Sequence, residues 1–200
     1  MITWLETFNS ICPVSWTLRD AIEENIIRRE YREGEIVLES GDICNCIWFV
    51  EDGLLWQYYA KEDLTVSGPY SKKDKYWRDN TVTTTFLSPG DLCTCSDSFF
   101  TRESGNEYIQ AIRICRLCAI SFETYQGLTA AYPEFNNLCR ILWERCTRRR
   151  DERLRNLILR STEEKFRWFQ KHYPDLVDKV KLRHIASYLG VSESMLSKLK

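Results

Sequence analysis

Apolar positions along this chain change their period twice. Between Trp4 and Glu30 they recur at helical spacing, with Leu18, Ile22, Ile26 and Ile27 set among charges, which predicts helix there. From Tyr31 the pattern becomes short and extended. Glu35–Asp42, Ile47–Val50, Leu54–Tyr59, Val82–Leu87, Tyr108–Ile112 and Leu117–Phe122 read as strands, separated by turns such as Gly41-Asp42, Glu51-Asp52-Gly53 and Ser88-Pro89-Gly90-Asp91. Residues 61–80 are polar, carry Gly68-Pro69 and read as an elongated hairpin loop. Many short strands with turns at near-regular spacing predict an antiparallel roll or barrel.

After Pro133 the helical period returns. Residues 134–159 contain neither Gly nor Pro and carry the stripe Phe135, Leu138, Leu142 and Cys146, resuming at Leu154, Leu157 and Ile158. A helix this long packs either on its own domain or on a copy of itself. Ser161 and Glu164 can start a further helix through a capping box. That helix carries Phe166, Trp168, Phe169 and Tyr173 and stops before Pro174. Residues 182–200 then read as helix, turn, helix. Ile185, Ala186 and Leu189 form one apolar face, Gly190 supplies the turn, Ser192 caps the second helix, and Leu196 and Leu199 form an apolar pair. Gly tolerates the positive φ of such a turn, Ser accepts a backbone N–H at a helix start, and Ala leaves room for the crossing helix. Two readings fit: an ordinary helical hairpin, or a helix-turn-helix that offers its second helix to the DNA major groove.

Charge favours the second. The whole chain carries −1, but residues 1–133 hold 12 Lys and Arg against 20 Asp and Glu, while residues 134–200 hold 16 against 9. A basic third behind an acidic body suits one part that faces phosphates, although Arg148-Arg149-Arg150 also fits a plain solvated helix face. The 44% hydrophobic content supports a real core. No apolar run reaches the roughly 20 residues of a membrane helix, and the first residues lack the basic start and apolar stretch of a secretory signal. A cytoplasmic protein with no membrane partner is expected. No phosphate-cradling or dinucleotide Gly motif is present, and the two histidines, His172 and His184, stand apart from any triad-like pattern, so no enzyme is expected.

The nine cysteines are Cys12, Cys44, Cys46, Cys93, Cys95, Cys115, Cys118, Cys139 and Cys146. In such a chain they read as reduced thiols rather than a disulfide framework. Cys44/Cys46 and Cys93/Cys95 would each point to one face of a strand. They are either small buried hydrophobes or thiols that converge.

The order of short helices, roll with Gly-Asp turns, long helix and terminal helix-turn-helix resembles the Crp/Fnr family of bacterial transcription regulators. The resemblance spans nearly the whole chain. It rests on Gly34-Glu35-Ile36 with Gly41-Asp42, Phe49-Val50 with Gly53, Pro89-Gly90-Asp91, Ala119-Ile120-Ser121-Phe122, and residues 182–199. The short linker after Tyr173-Pro174 is similar to that of the compact, Bacteroidetes-type branch. The resemblance implies an α+β protein: a cyclic-nucleotide-binding-like β-roll (a double-stranded β-helix) over residues 1–133, a long dimerisation helix over 134–160, and a winged-helix-like helix-turn-helix domain over 161–200. It implies a homodimer through residues 134–160 on a near-palindromic operator in double-stranded DNA, with RNA polymerase as a further partner. Ser192, Glu193, Ser194, Ser197 and Lys198 take the groove-facing positions, and Arg183, His184 and Lys200 the phosphate-facing ones. His184 also fits a plain exposed helix start, and Lys198 and Lys200 fit solubilising charges. Many relatives continue into a β-hairpin wing, while this sequence reaches only Lys200, so fewer phosphate contacts are expected.

Nucleotide-binding relatives follow the Pro-Gly-Asp turn with a Gly-Glu pair and, further on, an Arg beside a small polar residue. The Glu accepts from the ribose hydroxyl and the Arg neutralises the cyclic phosphate. Here these positions align with Thr94-Cys95 and Gly105-Asn106, followed by Glu107. Arg102 could substitute if the loop were rearranged. The adenine-facing hydroxyls of the family fall near Arg150 and Asp151. Cyclic nucleotide is therefore not expected, and no cofactor; an unknown effector, anionic given Arg150, stays open. The cluster-binding cysteines of some relatives lie near the N-terminus, where only Cys12 stands, so no metal is expected. The rival reading is a small-molecule or redox and metal sensor whose degenerate helix-turn-helix mediates protein contact.

Overall fold

The computed structural model describes residues 2–60 and 81–199. The loop expected over 61–80, and Lys200, lie outside the described residues. Two compact units emerge, one from the described residues of 1–57 and 86–146, the other from those of 58–85 and 147–200. The chain passes from one to the other within β4 (Leu55–Ala60), β5 (Thr81–Leu87) and α5 (Pro133–Leu159). No helix among the described residues is long and apolar enough to cross a membrane.

The first unit opens with α1 (Trp4–Asn9) and α2 (Trp16–Asn25). Thr3 and Glu6 close a capping box on α1, and the Ser15 hydroxyl accepts the Leu18 N–H to start α2. The continuous helical segment expected over 4–30 is thus two helices, followed by a strand, β1 (Ile27–Tyr31). Ile27 and its neighbours pair antiparallel with β8 (Cys115–Ser121), and this ladder decides the outcome for a stretch that helical spacing had claimed.

Between them run β2 (Ile36–Leu38), β3 (Cys46–Asp52), β6 (Leu92–Cys93), α3 (Ser96–Thr101) and β7 (Glu107–Ala111), and α4 (Phe122–Ala131) follows β8. The strands make two four-stranded sheets, β1-β8-β3-β6 and β2-β7-β4-β5; with the helices this is the expected α+β architecture. Alternation along β3 and β8 builds two cores. Trp48, Val50, Leu117 and Ala119 turn inward to join Leu55, Phe99 and Ile109 inside the roll. Phe49 and Cys118 turn outward to meet Trp4, Phe8, Leu18, Ile22, Leu128, Phe135, Leu138 and Leu142 of the helices. The first half of the α5 stripe is therefore spent on its own unit.

The second unit adds α6 (Thr162–His172), a 3-10 turn at Pro174–Leu176, α7 (Leu182–Leu189) and α8 (Glu193–Ser197). Phe166, Trp168, Phe169, Leu176, Val180, Ile185, Ala186, Tyr188, Leu189 and Leu196 are buried there. The expected capping box at Ser161 and Glu164 is formed.

Candidate nucleic-acid interface

The helix-turn-helix follows from local sequence chemistry. Ile185 and Leu189 are fully buried and Ala186 nearly so, and Leu196 of α8 is fully buried as well. Gly190 ends α7 at φ +63°, with its N–H on the Ser187 carbonyl at 3.2 Å. The next N–H, that of Val191, donates to the Ala186 carbonyl at 3.0 Å. These two bonds close the last turn as a left-handed C-terminal cap. Ser192 then starts α8, its hydroxyl accepting the Met195 N–H at 3.2 Å.

Arg183, Glu193, Ser194, Ser197 and Lys198 are exposed, and Ser192 is half-buried, with its hydroxyl 3.1 Å from that of Ser194. Short polar side chains thus stand exposed on α8, with one exposed cation at its C-terminal end, Lys198, and another, Arg183, at the start of α7. His184 does not join them. Only 9% exposed, it sits four residues before buried Tyr188, on the inner face of the amphipathic helix. The phosphate-facing placement expected for His184 is corrected on that ground.

Two half-buried polar groups of this unit escaped the pattern reading. Arg153 of α5 donates to the carbonyls of Tyr188 and Thr83, and Ser187 of α7 bonds to β5 through Thr83 and Thr81. The signal for Arg153 was its place four residues before Leu157 in the apolar stripe. His172 stacks on Trp168, with ring centroids 4.6 Å apart, and its Nε2 lies 3.4 Å from Glu152.

The expected effector residues of the roll lie in the first unit. Thr94 is buried and its hydroxyl donates to the Cys46 carbonyl at 3.1 Å. Cys95 is buried at the start of α3, and burial pushes its thiol up to about 12. Arg102 takes a left-handed backbone, φ 63°. Its guanidinium donates to the Cys44 carbonyl at 2.9 Å, the Phe99 carbonyl at 3.1 Å and the Asn45 side chain, and lies over the Phe122 ring. Its fork is already committed to the roll's own backbone. A Cβ on Gly105 would approach Cys95 Sγ and Ser98 Cβ to 3.1 Å each, and Asn106 is exposed. Arg150 and Asp151 are exposed on α5 in the second unit.

Gln57 is the buried polar residue of the roll that the strand pattern passed over, although it stands alone in an apolar run. Its amide donates to the Glu107 carboxylate at 2.9 Å and to the Thr94 carbonyl at 3.3 Å. The roll thus sets a carboxylate beside the aligned ligand positions and satisfies it with its own amide. An apolar cavity of about 40 Å³, lined by Trp4, Phe49, Tyr125, Phe135 and Trp143 among others, lies in the same unit.

Six of the thiols are held in their protonated form by burial. Burial raises the pKa of Cys46, Cys93, Cys115, Cys118 and Cys139 as well as Cys95, and a protonated thiol is neither a good nucleophile nor a metal ligand. Cys44 and Cys46 do approach the 93–95 segment, with Cys44 Sγ 3.2 Å from the Thr94 hydroxyl. Among the described residues, though, no group of three or more His, Cys, Asp or Glu converges as a metal site would require.

This architecture is the fold of the Crp/Fnr transcription regulators. It superimposes on a protein of Eubacterium rectale assigned to that family with a TM-score of 0.68 at 17% identity, covering 93% of this chain and 82% of the other. The c-di-GMP-responsive global regulator CLP of Xanthomonas campestris gives 0.67 at 14% identity, with 92% and 89% covered. FixK2 of Bradyrhizobium japonicum gives 0.66 at 15% identity, with 87% and 82% covered. No protein-family model and no curated protein matches the sequence.

Proposed function

We propose that this protein is a homodimeric, sequence-specific DNA-binding transcription regulator. The observation that carries the reading is the capped helix-turn-helix, with Ser194, Ser197 and Lys198 exposed on α8 and Arg183 exposed at the start of α7. That geometry suits a helix tip in the major groove with a cation on the flanking phosphates. The fold shared with Crp/Fnr regulators supports it, and RNA polymerase is the machinery such a regulator acts upon. The dimer is supported by α5, on which Leu154, Ile158 and Leu159 are 54%, 68% and 75% exposed. Leu154 and Ile158 are neighbours on one helix face, and a second copy of α5 would cover them.

The test is a mobility shift of duplex DNA over a salt series. The logarithm of affinity should fall linearly with the logarithm of salt, by roughly 0.9 per phosphate neutralised. Lys198→Ala should weaken binding to all sequences alike and reduce that slope by about 1. Ser194→Ala should leave the slope and change base preference. A salt-independent shift, or two inert variants, would reject the assignment.

Cyclic AMP is not the effector in this reading. Arg102 is engaged by backbone carbonyls and Glu107 offers negative charge where the phosphate would lie. Saturating cyclic AMP should leave the melting temperature unchanged; a rise of about 5 °C would reverse this conclusion.

A further inference from the structure

Arg153 is a half-buried cation whose described partners are carbonyl oxygens and an aromatic ring, not carboxylates. Its Nε and Nη2 donate to the Tyr188 carbonyl at 3.2 and 3.0 Å, and Nη2 donates also to the Thr83 carbonyl at 3.0 Å. The guanidinium lies over the Tyr188 ring, 4.4 Å from its centroid. Beside it the Thr83 N–H donates to Ser187 Oγ at 3.0 Å, and Ser187 Oγ donates to the Thr81 carbonyl at 3.4 Å. Burial lowers the Arg153 pKa, an effect the Tyr188 and Tyr173 hydroxyls oppose. Taking such a charge out of water is costly, and the carbonyls and the ring offset part of that cost.

The acceptor on α7 has a specific meaning. Ala186 and Ser187 give their carbonyls to the N–H groups that close the Gly190 turn. Tyr188 belongs to the same last turn, whose carbonyls lack partners within the helix. Arg153 supplies one, as a cation at the negative end of α7. The planar fork lets one side chain hold this carbonyl and a strand carbonyl together, which an ammonium does less well. Thr81 and Thr83 belong to β5, the edge strand of its sheet, and α8 follows α7 through the Gly190 turn and the buried Leu189 and Leu196.

We propose that Arg153 is a positioning residue that locks strand β5 to helix α7, so that α8 is held ready for DNA only while β5 is in place. The role in DNA binding rests on the function proposed above; the lock itself does not.

The test uses the full chain carrying Arg153→Gln, Arg153→Lys or Ser187→Ala. Hydrogen–deuterium exchange is followed in residues 81–85 and 182–196, with residues 46–52 as the control. Arg153→Gln should speed exchange about tenfold in both segments together and leave 46–52 unchanged. Arg153→Lys and Ser187→Ala should show the same paired change to a smaller extent, and they carry the test if Arg153→Gln does not fold. Affinity for duplex DNA should fall about tenfold in Arg153→Gln with an unaltered salt slope, since no phosphate contact is lost. Faster exchange in one segment alone, or in neither, overturns the lock whatever the DNA result. Paired exchange with unchanged DNA affinity overturns its role in DNA binding. A wild-type protein that ignores DNA defeats the functional reading, while the exchange data still judge the lock.

Discussion

Gly53 and Gly190 both stand at positive φ, +99° and +63°, yet a methyl group would meet different neighbours at each. At Gly190 the nearest atom is the flexible end of Leu157, 3.2 Å away. At Gly53 it is the Ile114 carbonyl oxygen at 2.4 Å, with Cys115 Cα at 2.7 Å, and backbone cannot step aside. Gly190→Ala should cost about 1 kcal/mol, the left-handed penalty alone, and Gly53→Ala about 3 kcal/mol or more. Urea unfolding compares them, and equal costs would contradict the packing described. Residue-level reasoning from sequence found Gly190, Ser192 and the small Ala186 because each answers a local backbone need. It set His184 outside and overlooked Arg153, because a polar side chain in an apolar stripe is resolved by what lies across from it, which periodicity does not contain.

At the scale of elements, the long amphipathic helices and the alternating strands were legible, and α3 and β1 were not. Helix α3 is six residues long, and its N-cap Cys95 makes no side-chain cap bond. Its C-cap is Arg102 in a left-handed conformation where Gly is the usual marker, so neither end announces it. Strand β1 has four exposed residues in a row, leaving no alternation to read; its partner β8 specifies it. The strands also bring the thiols inside. Folded Cys95 and Cys118 keep their protons up to about 12, whereas an unfolded thiol loses its proton near about 8.5. Their contribution to stability is therefore intact below about pH 8.5 and is lost as pH climbs toward the folded values, by up to about 1.4 kcal/mol per pH unit for each thiol. Urea unfolding under reducing conditions should show a steady loss of stability from pH 8 to 10; a flat profile would mean that the thiols are more accessible than their burial indicates.

At the scale of the molecule, the acidic first two thirds and the basic last third fit the proposed function, in which the basic part meets DNA and the roll does not. The helix-turn-helix was the most legible part of the chain, because its chemistry is local. The roll's ligand chemistry was legible only as departures from a pattern, and the Gln57–Glu107 contact that fills it joins strands far apart in sequence. The central claim is that a two-fold pair of α8 helices reads DNA. Selection of bound duplexes from a random library tests it most directly, with wild-type protein beside a Leu154→Glu/Ile158→Glu variant. Wild type should enrich a near-palindrome whose half-sites are about 10 base pairs apart centre to centre, one turn of the double helix, and the variant should lose that enrichment. Enrichment of an asymmetric site, no enrichment by wild type, or an unaffected variant would contradict the account.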